Sequence, residues 1–348
     1  MKIVLHLPED GAEISFMTLA QRLFLTDPYR AADHVPELEP RTVDETVPGK
    51  VRFDWYAEGA GSELQISGTP DFREYRRFPA EKSIVRFRAK GPERDLSVFS
   101  AEINNLPHGE KYYWRAEAED GFSEVRSFTV APDLPRWIDL PRVTNVRDLG
   151  GWKTQDGRTI RQGMVFRGAQ FEAWTSQKSY DLTDDGREVL FNVLKIRTEL
   201  DLRGKEPLLP REHSLLLPMS AYATWKEFGI FTPEQMANYR RIFELFTRPA
   251  VYPVYFHCQG GGDRTGTLAF MLEAMLGMSL DDMITEYELS NLSVSGERSR
   301  FSEVWVKFME KLESLAPGKS RNDQAREYLR QCGVTDEMQE KIKSILLK

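Results

Sequence analysis

The stretch from Val254 to Phe270, VYFHCQGGGDRTGTLAF, constrains the fold of this chain more than any other. PVYFH is a short apolar run of β-branched and aromatic residues, the pattern of a buried strand. TGTLAFMLEAMLGM is apolar nearly all round, the pattern of a buried helix. Between them stand a cysteine, three consecutive glycines, an aspartate and an arginine. A plain turn needs one or two glycines; three permit unusual dihedrals and close approach of another group to the backbone. Strand, glycine-rich loop and helix in that order aim N–H groups and a helix dipole at an anion. Arg264 adds a planar, permanent cation suited to two phosphate oxygens. The segment predicts a phosphate cradle inside an α/β domain.

The remaining sequence has two textures. Residues 1–131 contain short aromatic and β-branched runs (KVRFDWYAE, SELQISG, KSIVRFRAK, DLSVFSAEI, KYYWRAEAED, SEVRSFTVA) separated by turn residues. That spacing predicts an all-β sandwich. The proline-rich, charged stretch from Thr26 to Lys50 reads as a long surface loop or a connection between strands. APDLPRWIDLP supplies a linker at 132–141. From 142 to 348 helix-like segments alternate with short strands such as MVFRG and IRTELDL, which predicts an α/β domain with a central sheet flanked by helices.

At 348 residues the chain has room for two domains. Its formal net charge of −7 argues against nucleic acid as a partner, because phosphate backbones select a basic surface. No apolar run approaches the roughly 20 residues of a membrane span, and the apolar start of MKIVLHLPEDG is too short for a signal peptide. Two cysteines, Cys258 and Cys332, cannot build a disulfide framework and suit a reducing compartment, so a cytoplasmic location is expected. Histidines paired at metal-ligand spacing are lacking, and neither metal nor cofactor is expected. Cys332, Val304, Phe308, Leu312 and Leu315 read as core. The aromatic stretch from Thr224 to Met236 is equally compatible with core packing and with a mobile element over the site.

No Lys-Ser/Thr pair follows the glycines, which excludes the lysine-containing loop of nucleotide hydrolases. Cys258 takes the loop's first position instead. The converging N–H groups, the helix N-terminus and Arg264 all favour its thiolate. A thiolate facing a bound phosphate is placed for in-line attack at phosphorus. Thr265 offers a hydroxyl that can stabilise the thiolate or assist hydrolysis of a phosphocysteine, and His257 is expected to hold the loop in shape.

HCQGGGDRT, a His-Cys followed by five residues and Arg-Thr, resembles the cysteine-dependent protein tyrosine phosphatase superfamily. It is most similar to bacterial tyrosine/serine phosphatases whose loop reads His-Cys-x-Ala-Gly-Lys-Asp-Arg-Thr-Gly. TNVRDLGGWKTQDGRTIRQGMVFRGAQF, LKIRTELDLRGKEP and EYELSN resemble further segments of that family in the same order, covering about Val143 to Asn291. The resemblance implies a phosphomonoester hydrolase using a phosphocysteine on Cys258, with Arg264 as phosphate clamp. It places Gln259, Gly260, Gly261, Gly262 and Thr265 around the phosphate, and Arg147, Asp148, Asp201 and Arg203 at the substrate. Asp263 is the implied general acid, with Asp201 and Asp148 as competitors; a leaving alkoxide or phenoxide needs that proton. The family's loop lysine is Gly262 here and its alanine Gly260. This weighs against a phosphoinositide substrate unless arginines elsewhere compensate. Between Pro141 and Arg167, Arg142, Arg147, Lys153, Arg158, Arg161 and Arg167 outnumber Asp148 and Asp156, a basic segment able to attract an anion. Two other readings remain: sulfur or arsenate chemistry on a cysteine loop, and a phosphate-recognition module of low catalytic power. In the first 131 residues, Leu106, Gly109 and Tyr112 of LPHGEKYYW resemble the fibronectin type III corner, so the sandwich is expected to be fibronectin III-like.

Overall fold

Two units divide the chain: Met1–Met17 with Pro48–Asp133, and Thr18–Val47 with Leu134–Lys348. The computed structural model describes residues 3–26, 44–57, 61–87, 94–119, 121–172, 182–204, 208–222, 229–294 and 298–348. Among its described residues the first unit holds ten strands: β1 Val4–Leu7, β2 Ala12–Ile14, β3 Val51–Tyr56, β4 Ser62–Ser67, β5 Arg76–Pro79, β6 Glu81–Phe87, β7 Arg94–Ile103, β8 Lys111–Ala118, β9 Gly121–Phe122 and β10 Arg126–Val130. They form one sheet in the order β1-β3-β7-β6 and another in the order β2-β10-β8-β4-β5, with β9 on β8. Side chains alternate along a strand, so Phe53 and Trp55 of β3 enter the same core as Leu64 and Ile66 of β4 and Trp114 and Ala116 of β8. Phe53 meets Trp114 edge-on, with ring centroids 5.0 Å apart.

The second unit opens with α1, Leu19–Thr26. This segment departs from the expected 1–131 boundary. Phe24 joins the α/β core, Gln21 Nε2 donates to the carbonyls of Glu45 (2.9 Å) and Val47 (3.1 Å), and the Glu45 N–H donates to Leu292 O. Of the expected surface loop at 26–50, residues 27–43 lie outside the described residues. There follow β11 Arg136–Trp137, β12 Arg147–Asp148, β13 Val165–Gly168, α2 Asp184–Glu188, β14 Thr198–Asp201, β15 Ser214–Leu216, α3 Pro233–Phe246, β16 Val254–His257, α4 Asp263–Leu276, α5 Leu280–Glu288, α6 Glu303–Leu315, α7 Arg321–Gln331 and α8 Asp336–Leu346. The sheet order is β11-β12-β13-β16-β14-β15, and β13, β16, β14 and β15 are parallel.

β16 is apolar from Val254 to Phe256 because both faces of the sheet are covered. Val254 and Phe256 pack into the core that contains α4, while Tyr255 packs with Val146, Phe166 and Leu190 on the other face. Parallel alignment brings the carboxyl ends of β13, β14 and β16 to one edge, where open α/β sheets bind their ligands. Of the stretch from Thr224 to Met236, residues 224–228 lie outside the described residues. Beyond it Ile230 and, on α3, Tyr239, Ile242 and Phe243 are buried in the core. Among the described residues no helix is long and apolar enough to cross a membrane.

Candidate active site

Cys258 follows β16 directly and is a free thiol, 3% exposed. The next residues run along the sheet edge to α4, whose N-cap Gly262 gives no side-chain capping bond. Each loop carbonyl is drawn away by a donor from the surrounding fold. Gln259 O accepts from the Gln170 N–H (3.1 Å), Gly260 O from Asn145 Nδ2 (3.0 Å) and Gly261 O from Arg167 Nη2 (2.6 Å). Gly262 O accepts from the Gly266 N–H inside the helix. Turning the carbonyls outward turns the peptide N–H groups the other way, and those of Gln259 to Arg264 have no protein acceptor among the described residues. That arrangement is an anion-binding nest at a helix N-terminus.

Glycine is required at 261 on two counts. Its φ is +71°, and a Cβ there would stand 2.6 Å from the backbone of Gly168 at the end of β13. At Gly262 the backbone suits any residue, but a Cβ would stand 2.6 Å from Nε and Nη2 of Arg298. The space beside Gly262 is filled by that guanidinium.

Asp263, the first residue of α4, is half-exposed, and both its oxygens are engaged. Oδ1 accepts from the Tyr222 hydroxyl (2.8 Å) and Oδ2 from Arg298 Nη2 (2.7 Å). Burial, reinforced by Tyr287 and Asp263, pushes the Tyr222 hydroxyl well above its ordinary value, so it stays a donor. Burial alone would lower the Arg298 guanidinium; Asp263, the two tyrosines and Cys258 outweigh it and raise it instead. Arg264 is half-buried, and its Nη1 donates to Leu202 O just beyond β14 (3.3 Å). Thr265 Oγ1 is buried without a hydrogen-bond partner among the described residues, so it does not bond the thiol in this arrangement.

The other expected substrate contacts are placed differently. Arg147 and Asp148 are fully buried. Arg147 Nε donates to Glu286 Oε1 (2.6 Å), its Nη2 to Glu286 O (2.9 Å), and its Nη1 to Asn145 Oδ1. Asp148 accepts from Arg136 Nη1 (2.9 Å) and from the N–H groups of Gly150 and Gly163. Asp201 and Arg203 form a buried forked pair, Nη2 to Oδ2 2.6 Å, and Arg203 also donates to Gln170 and Glu172. In this arrangement the polar atoms of all four are bonded within the protein. The basic stretch 142–167 is likewise largely consumed. Arg167 Nη1 donates to Glu286 Oε2 (2.5 Å), Arg158 pairs with Asp156, and Arg161 Nε donates to Leu347 O.

His257 is fully buried, with Nε2 2.9 Å from Glu199 Oε1 and Nδ1 3.3 Å from Cys258 O. Glu199, Asp201 and His257 gather their donor atoms within 4.8 Å. His257 and the Leu209 N–H take up the Glu199 oxygens and Arg203 takes those of Asp201, so each carboxylate already has hydrogen-bond partners within the protein.

The residues that shape the loop without having been singled out from sequence are Asn145, Glu286, Tyr222 and Arg298; Arg167, expected to attract an anion, instead holds Gly261 O and Glu286. Asn145 adopts φ +63°, which points its amide at Gly260. Its place in the Asn-x-Arg-Asp segment was the available signal. Arg298 lies beyond every motif, and nothing local marks it.

A buried cysteine under a nest of amides at a helix N-terminus, with an arginine in the first helical turn, defines a cysteine-dependent phosphatase-type site. The chain belongs to the tyrosine phosphatase family, whose model matches residues 138–348. A Cupriavidus necator protein assigned by name to the tyrosine-protein phosphatases, H16_A0669, is 29% identical over 169 residues. The match covers 43% of this chain, and the chain spans 61% of that relative's length. The catalytic core of the Saccharomyces cerevisiae PP-IP phosphatase SIW14, solved with citrate, is 18% identical. That match covers 43% of this chain and 85% of the yeast core, with a TM-score of 0.29.

Proposed function

We propose that this chain is a phosphomonoester hydrolase that works through a phosphocysteine. The Cys258 thiolate attacks phosphorus while the P–O bond to the leaving group breaks, and Asp263 gives that oxygen its proton. Water then attacks the S–P bond, losing its proton to Asp263, and releases phosphate and the thiolate. Arg264 turns from Leu202 O to the phosphoryl oxygens. One observation carries the reading: the loop carbonyls from Gln259 to Gly261 are held outward by Gln170, Asn145 and Arg167, leaving the N–H groups to an anion above Cys258. Asp263 is favoured as the acid because Asp148 and Asp201 are fully buried and committed to Arg136 and Arg203, whereas Asp263 is half-exposed at the loop. To act, it exchanges a hydrogen bond to Tyr222 or Arg298 for the leaving oxygen.

The substrate is a phosphoprotein, a phosphoinositide or a small phosphomonoester, and a free thiol at Cys258 favours a reducing compartment. The first unit is read as fibronectin III-like. What supports this is the Tyr112 hydroxyl at the start of β8 donating to Pro107 O, five residues upstream (3.3 Å), the contact of a tyrosine corner.

Purified protein should hydrolyse an aryl phosphate with chelator present. Cys258→Ser should abolish turnover and keep phosphate binding; a fully active Cys258→Ser variant would sink the mechanism. Phosphorylated peptides, inositol lipids and sugar phosphates, assayed side by side, then sort the substrate class.

A further inference from the structure

Arg298 is built into the rim of the loop. The Asn291 side chain clamps its backbone from both ends: Nδ2 donates to Arg298 O (2.7 Å), and Oδ1 accepts the Arg298 N–H. Asp263 Oδ2 holds Nη2, and the guanidinium lies against the backbone of Gly262, where a side chain at that position would otherwise be. The side chain is only 14% exposed. Withdrawing a guanidinium from water is costly unless anions meet it. Here it sits at the mouth of a nest of amide N–H groups, with Asp263 Oδ2 on its Nη2.

We propose that Arg298 is a second phosphate-binding cation of this site, delivered from the segment after α5 into the space that Gly262 leaves free. It rests on the reading of the loop as a phosphate cradle. A phosphoryl dianion in the cradle draws Arg298 from Asp263 Oδ2 toward its own oxygens. The same movement frees Asp263 for the leaving group. Arg298 thereby sets the preference for a dianionic over a monoanionic ligand.

The test is the affinity for inorganic phosphate by calorimetry, with all variants built on Cys258→Ser so that turnover plays no part. Adding Arg298→Ala should weaken binding about 10- to 100-fold, the loss of one charge-assisted contact. Adding Gly262→Lys to Arg298→Ala should recover most of that loss. A Cβ at 262 points into the space the guanidinium vacates, and the backbone there accepts any residue. A purely structural role for Arg298 would not be rescued by a charge placed on another segment. Unchanged affinity in Arg298→Ala, or a folded double substitution with no recovery, overturns the proposal. Should Arg298→Ala fail to fold, Arg298→Lys is compared with Arg298→Met, and equal phosphate affinity in the two overturns it. A parent that binds no phosphate removes the cradle reading and this one together; a parent that binds it with Arg298→Ala unchanged removes this one alone.

Discussion

Two buried glutamates beneath the loop are expected to respond in opposite ways to the same substitution. Glu286 receives Arg147 Nε at 2.6 Å and Arg167 Nη1 at 2.5 Å, and all three side chains are essentially unexposed. Burial alone would raise the Glu286 carboxyl; the two arginines hold it below the usual carboxylate range. Glu273, 1% exposed on α4, has no hydrogen-bond partner for either oxygen among the described residues. Burial first, and then Glu286, push its carboxyl well above the usual range, which favours the neutral acid. Glu286→Gln leaves two arginines facing each other with no anion. Arg147 already feels this: burial and Arg167 bring its guanidinium down to about 10, still a cation at neutral pH. Removing one partner of a buried ion pair costs about 3–5 kcal/mol. With a urea dependence of roughly 1–3 kcal/mol per molar, the midpoint should fall by about 1 M or more.

Glu273→Gln replaces a neutral acid by a neutral amide of the same shape. The unfolded chain ionises Glu273 near its ordinary value of 4.5 while the folded chain keeps its proton, so wild-type stability falls as pH rises through that interval. The variant should match wild type near pH 4.5 and become the more stable protein toward neutrality. Glu286 has the opposite sign: its contribution is complete above 4.5 and is lost as pH falls through its depressed value. Urea titrations followed by far-ultraviolet circular dichroism at several pH values read both effects. A loss below about 1 kcal/mol for Glu286→Gln, or equal losses for the two variants at neutral pH, would refute the assignment of charge.

Gly261→Ala should lower phosphate affinity at least tenfold, because φ +71° and the 2.6 Å approach to Gly168 force the loop off β13; an unchanged calorimetric titration would count against the loop geometry. Thr46→Val keeps shape but removes the acceptor of the buried Asn145 N–H (2.9 Å), a cost of about 1–3 kcal/mol. Asn145 in turn holds Gly260 O, so turnover of an aryl phosphate should drop with stability, and a variant of wild-type stability and rate would dismiss this support.

Periodicity and composition carried the strand-loop-helix at Val254 to Leu276, the cysteine and arginine that flank the glycines, and the division into a β-rich and an α/β half. These are local properties: a strand buried on both faces is largely apolar, and a tight anion loop needs glycine where φ is positive and backbone approaches closely, as at Gly261. The sequence also proposed Arg147, Asp148, Asp201 and Arg203 as substrate contacts. Tertiary packing gave each of them a counter-charge inside the fold, which no local pattern announced. Leu19–Thr26 and Glu45 were assigned to the β half by proximity along the chain, but Phe24 joins the α/β core and the Glu45 N–H bonds Leu292 O. Most of all, only the folded chain brings Arg298 across 36 residues to cover Gly262. A side chain's charge is written in the sequence, but the groups that neutralise it, and the charge left over for a ligand, depend on neighbours that only three-dimensional packing selects.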